Sequence, residues 1–339
     1  MKDLLYLRAV STGEREFTGT ELRNYMDGIA EVEPRLCRLA YPRHYEEPSG
    51  CGQYFSPRFP ASQIVSNSLK VMSGTNGEGE LYQFVAMSHL VRYGVPMYWL
   101  GKDLSQAIRK TAPPQKFDWY NMPLPFPACV FMLPKGCLRN DAEGEVAFVA
   151  YARLHSGDEF ESKLIPGKQY GITNGSFILM AGMVNGALCH WNIPVDAYGS
   201  YLSIPDIATL MDQHKNNVHK GGFWEREGVT MTPADNQLGL EVMHLVFSTL
   251  FVMEARPELV TTGSLKKKVT AKKGKTAKEF WNPNVIGEHY KIRREGIHGD
   301  GTHASPRFHW VCGAMKQQPY GPGRSLRKTI WIEPYTRGV

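Results

Sequence analysis

A chain of 339 residues can bury a sizeable core without disulfides or metals as staples, and suits one large domain or two smaller ones. Its six cysteines, Cys37, Cys51, Cys129, Cys137, Cys189 and Cys312, stand singly, which excludes a zinc ribbon or a redox pair and reads as free thiols in a reducing cytosol. The net charge of +6 is uneven: residues 266–339 hold 16 basic and 5 acidic side chains against 23 and 28 in residues 1–265, so the potential that attracts polyanions belongs to the C-terminal fifth.

The N-terminal MKDLLYLRAV lacks the apolar run and cleavage site of a secretion signal, and no run of roughly 18 apolar residues is apparent, so neither secretion nor membrane insertion is expected. Between Arg35 and Pro60 the density of Pro, Gly and aromatic residues predicts an irregular packed loop. From Ser62 to Lys110 helical periodicity dominates, with Ile64, Leu69 and Met72, then Leu81, Phe84, Val85, Leu90 and Val91, broken by the turn SGTNGEGE. KDLSQAIRK predicts a short helix ended before Pro113-Pro114. After Pro127 the runs ACVFML, EVAFVAYARL, QYGITNGSFILMAG and ALCHWNIP predict an antiparallel sheet. Helices are expected at Pro205–Val218 and Pro233–Glu254, the latter capped by Thr232 and carrying Leu238, Val242, Leu245, Val246, Leu250 and Met253 on one stripe.

SLKKKVTAKKGKTAK at 264–278 holds seven lysines and reads as a mobile basic linker. Beyond it, NVIGEHYKIRR, RFHWVCGAMKQQ and LRKTIWIEP predict three strands. The expected fold is α+β: helices around a central antiparallel sheet, with a basic linker and a small C-terminal β-rich segment. Its divisions are an N-terminal extension and loop at 1–60, a core domain at 61–262, the linker at 263–280 and the basic segment at 281–339.

Two segments carry candidate chemistry. Lys266, Lys267, Lys268, Lys272, Lys273 and Lys275 can neutralise phosphates, each contact adding about one unit to the salt slope; a solubilising connector is the competing reading. In the C-terminal block Arg293, Arg294, Arg307, Arg324, Arg327 and Lys328 interleave with Tyr290, Phe308, Trp310 and Trp331, and guanidinium forks with stacking aromatics suit RNA. Trp310 and Trp331 alternate with polar residues, so a sheet core is the alternative place for them. His289, His298, His303 and His309 cluster near Glu288, Glu295 and Asp300, from which a nuclease with His303 and His309 as catalytic residues is conceivable, but their spacing fits no standard metal motif. No P-loop, G-x-G-x-x-G, H-E-x-x-H or G-x-S-x-G occurs, and neither a cofactor nor a bound metal is expected; whether the chain is an enzyme stays open.

The segments LYQFVAMSHLVRYG at 81–94, PLPFPACVFML at 123–133, FVMEARPELV at 251–260, GEHYKIRR at 287–294 and RFHWVCGAMKQQPYGPGRSLRKTIWIEP at 307–334 together resemble the large type V-A anti-CRISPR family of mobile elements, which represses synthesis of the CRISPR effector nuclease. The resemblance implies a phage or plasmid protein of the host cell cytoplasm that recognises a nascent polypeptide or host defence protein and lowers its mRNA during translation, with RNA or the ribosome as second partner and no membrane. A stoichiometric protein-binding inhibitor is the rival reading. Relatives carry Arg-Arg-Gly-His-Trp where this chain has Val311, Cys312, Gly313, Ala314 and Met315, so two arginines and a histidine are lost; Arg307, His309, Arg324, Trp331 and Pro334 match.

Overall fold

The computed structural model describes residues 90, 97–113, 117–118, 122, 124–140, 144–153, 177–184, 188–193, 201–202, 233–267, 279–282, 284–295 and 308–337. The expected N-terminal extension, the helix expected at Pro205–Val218 and most of the helical region expected before Leu100 lie outside the described residues.

In chain order the elements are β1 (Met97–Leu100), α1 (Lys102–Arg109), β2 (Thr111–Ala112), β3 (Phe117–Asp118), β4 (Ala128–Met132), β5 (Arg139–Asn140), β6 (Gly144–Arg153), β7 (Phe177–Met183), β8 (Leu188–Ile193), β9 (Tyr201–Leu202), α2 (Pro233–Ala255), β10 (Val260–Thr261), β11 (Ser264–Lys267), β12 (Glu279–Asn282), β13 (Asn284–Ile286), β14 (Arg293–Glu295), β15 (His309–Val311), β16 (Gly313–Tyr320), β17 (Leu326–Ile332) and β18 (Tyr335–Arg337). The main sheet runs β10-β13-β1-β4-β6-β7-β8, with β5 joined to β6. Around β1 it is parallel, to β13 on one side and β4 on the other; from β4 to β8 it is antiparallel.

The expected arrangement of helices around an antiparallel sheet is therefore corrected. Strands account for 49% of the described residues, which contain two α-helices, and the central sheet is mixed. Nor is the C-terminal β-rich segment an appendage, because β13 is an inner strand of the main sheet. Asn284 fixes it there: its Nδ2 donates to Met97 O at 3.0 Å and its Oδ1 accepts from Gly263 N at 2.6 Å, so a buried amide is satisfied on both sides. Beside it the β1–α1 turn passes so close that a Cβ on Gly101 would lie 2.3 Å from Gly287 O. The segment expected as a linker begins and ends as paired strands, β11 against β12, with Lys266 opposite Phe280 and Lys267 opposite Glu279.

The strands β4, β6 and β7 are buried on both faces, which is why their sequences are continuous apolar runs rather than alternating ones. On the face toward α2 an aromatic row crosses the sheet, Tyr98–Phe131–Tyr151–Phe177, with successive centroids 6.2, 6.1 and 6.4 Å apart, and ends edge-on against Phe247 of α2 at 5.2 Å. Each such ring contributes about 1.5–3 kcal/mol by burial. The Tyr151 hydroxyl donates to Phe126 O at 2.8 Å, and burial pushes its pKa well above the ordinary value. Within α2, Gln237–Ala255 is long and apolar enough by composition to cross a membrane, contrary to the expectation that no such stretch exists, but Leu238, Val242, Val246, Phe247 and Leu250 are buried in the core.

Candidate functional site

The C-terminal block is organised by the hairpin β16–β17, paired antiparallel from Ala314–Ile332 at its root to Tyr320–Leu326 at its end. The root is locked into the core. Trp331 is 8% exposed, stacks on Tyr290 at 5.6 Å and 29°, and donates from Nε1 to Thr111 Oγ1 at 3.1 Å. That hydroxyl in turn donates to Ala107 O at 2.9 Å, and the Thr111 carbonyl is 2.9 Å from His244 Nε2, so α1, β2, α2 and β17 meet at one threonine. Farther out, Thr329 Oγ1 donates to Glu254 Oε2 at 2.7 Å and accepts from Gln317 Nε2 at 2.8 Å.

Past Thr329 the end of α2 no longer covers the ribbon, and residues 318–328 are all exposed. Strand alternation places Arg327 opposite Pro319 on one face, and Lys328 opposite Gln318, with Lys316 and Tyr320, on the other. The connecting turn is built for tightness: Gly321 and Gly323 have φ of 75° and 60°, Ser325 N donates to Pro322 O at 3.2 Å, and Arg324 itself adopts φ 58°. Arg327 bonds back to Arg324 O at 2.9 Å, and Lys328 Nζ lies 6.0 Å from the Tyr320 ring centroid. From Gly313 to Ile332 the sequence holds four cations and no carboxylate, and among the described residues none of the four forms a salt bridge.

Of the residues singled out from sequence, Arg324, Arg327 and Lys328 come together at this hairpin end. Arg293, Arg294 and His309 belong to a separate sheet, β14-β18-β15, where all three are exposed and the Arg293 guanidinium lies 5.6 Å from the Tyr335 ring centroid. Lys266 and Lys267 lie on β11. Lys268, Lys272, Lys273, Lys275, Arg307 and His303 lie outside the described residues. Trp331 is in the core, and its stacking partner is Tyr290. Sequence reasoning passed over Lys316, Arg337 and Tyr320; the turn PYGPGRS between two alternating strands was the signal for Tyr320, 44% exposed.

A cleft of about 330 Å³ opens beside the hairpin root, lined among others by Arg256, Glu258, Glu288, His289, Tyr290 and Glu333. Arg256 bonds both Glu258 and Glu333, so its charge is satisfied within the cleft. The Tyr290 hydroxyl is buried without a hydrogen bond of ordinary geometry; burial, then the nearby Glu333 carboxylate, pushes its pKa up, and it is held as a neutral phenol. Lys291 lies 3.7 Å from Asp103. Among the described residues no three His, Cys, Asp or Glu side chains converge to hold a metal.

No curated protein and no solved structure matches the chain. The AcrVA2-like family model, described as the anti-CRISPR type V subtype A2 family, matches residues 98–336. Reaching from Tyr98 in β1 to Thr336 in β18, the match takes in the main sheet, α2 and the cationic hairpin as one unit, and the chain belongs to the anti-CRISPR type V subtype A2 family.

Proposed function

We propose that the protein, acting in the host cell cytoplasm, recognises the nascent polypeptide of a type V CRISPR effector and lowers the effector's message during translation. Family membership is the observation that carries this reading: it makes the chain an anti-CRISPR and a host defence component its target. Recognition during translation needs a surface for a peptide and a surface for RNA or the ribosome. The hairpin end supports the second, since Arg324, Arg327 and Lys328 are exposed together on a stretch, Gly313 to Ile332, whose own sequence holds no carboxylate. Its exposed aromatic is Tyr320, and Phe308 lies exposed just before β15.

Ribosome profiling and transcript counting in cells making the effector, with and without the protein, test this. The expected result is a selective fall in the effector message and its footprints. An unchanged message with less effector activity overturns it and points to a stoichiometric inhibitor of the finished protein.

A further inference from the structure

We propose that the β16–β17 hairpin is a finger for double-helical RNA, lying in the wide minor groove with its cations against the phosphate ridges on either side. Three observations carry this. First, the positive charge surrounds the ribbon: Arg327 projects from one face, Lys316 and Lys328 from the other, and Arg324 stands at the end. A platform for single-stranded RNA instead gathers aromatics on one face so that successive bases stack side by side. This ribbon exposes one aromatic, Tyr320, and Lys328 Nζ lies 6.0 Å from its ring.

Second, the finger's shape is held by contacts within the chain itself. Its root is tied to α2 and β2 through Thr329 and Trp331, and its end is closed by the Pro322–Arg324 turn and the bond from Arg327 to Arg324 O. A preformed shape suits recognition of a preformed shape, which is how A-form helices are read, through phosphates and 2′-hydroxyls across a shallow minor groove. Third, the uncharged polar groups beside the cations, Gln318 and Ser325, are exposed and of the kind that bonds 2′-hydroxyls. The alternative, an acidic protein surface, is answered by one cationic face; charge on both faces and at the end matches an anion on two sides.

The inference rests on the proposed function only for where the duplex comes from, the RNA of a translating ribosome; the contact itself is tested with purified full-length protein. Fluorescence anisotropy would compare an RNA duplex of about 20 base pairs, a single strand of the same composition and polyglutamate, across about 50–200 mM salt. The expected result is tightest binding to the duplex. With Arg324→Gln, Arg327→Gln and Lys328→Gln combined, duplex affinity should fall about tenfold or more and the salt slope by about 3. An equal-charge control, Lys110→Gln, Lys135→Gln and Arg139→Gln, should leave both within about twofold, and an unchanged melting temperature shows that the triple variant folds. Single strand or polyglutamate bound as tightly as duplex, no binding to duplex, or equal losses in both variants would each overturn the finger. Retained message lowering by the triple variant would overturn its role while leaving the proposed function standing.

Discussion

Trp331, 8% exposed, stands at the root of the hairpin where β17 meets α1 and β2. In LRKTIWIEP it alternates with polar and aliphatic neighbours, a pattern shared by a stacking residue and a core residue. What decides between them is Tyr290 against its ring and Thr111 at its Nε1, partners distant in sequence. Trp331→Phe keeps the stack and loses the hydrogen bond, and urea denaturation should register a cost of about 1 kcal/mol. His244, across the same threonine, gives a pH signature. Burial lowers its pKa from the ordinary 6.5, outweighing the Thr111 carbonyl, while Arg109 lowers it further and Glu241 raises it. A depressed folded pKa means that its contribution is whole above pH 6.5 and is lost as pH falls through the folded value, because the unfolded chain then binds a proton that the fold refuses. Denaturation midpoints of wild type and His244→Gln between about pH 5 and 8 should diverge on the acid side, the wild type falling more steeply; parallel curves would remove His244 from the account.

Elements were legible where local pattern decides them. The helix expected at Pro233–Glu254 runs Pro233–Ala255 and the short helix runs Lys102–Arg109, a proline start for the first and an apolar stripe for the second being local signals; the long helix is buried all round, Met243, Ser248 and Thr249 included, rather than along the one stripe expected. β13 was expected as a strand but not as a partner of β1, because three residues, Asn284–Ile286, carry no mark of parallel pairing across the chain. Helix α2 also conceals a constraint that propensity alone would misjudge. Gly239 lies in its interior, where alanine ordinarily gains about 1 kcal/mol. A Cβ there would lie 2.6 Å from Nε1 of the buried Trp191. Overpacking of this kind costs about 1–3 kcal/mol, so Gly239→Ala should lower the melting temperature; a rise would show that Trp191 can move aside.

At the scale of the molecule, the net charge of +11 in residues 266–339, 16 basic against 5 acidic, is readable by counting. Counting could not show that this region is also structural. β13 completes the main sheet, β16 pairs with β2, and Gly313 sits where a Cβ would be 2.6 Å from Ile332 O. Val311, Cys312 and Ala314 are half-buried or exposed, while Met315 is buried against the core. The C-terminal fifth is therefore both structural and surface-exposed: β13 and the root of the β16–β17 hairpin close onto the core, and residues 318–328 at the hairpin end are exposed. The central claim, that a nascent peptide selects the message to be lowered, is tested most directly with two altered effector messages. One is recoded synonymously over its leading codons, keeping the peptide and changing the RNA; the other is frameshifted over the same stretch, keeping nearly the same RNA and changing the peptide. The account predicts that the protein lowers the recoded message and spares the frameshifted one; equal loss of both, or loss of neither, would contradict it.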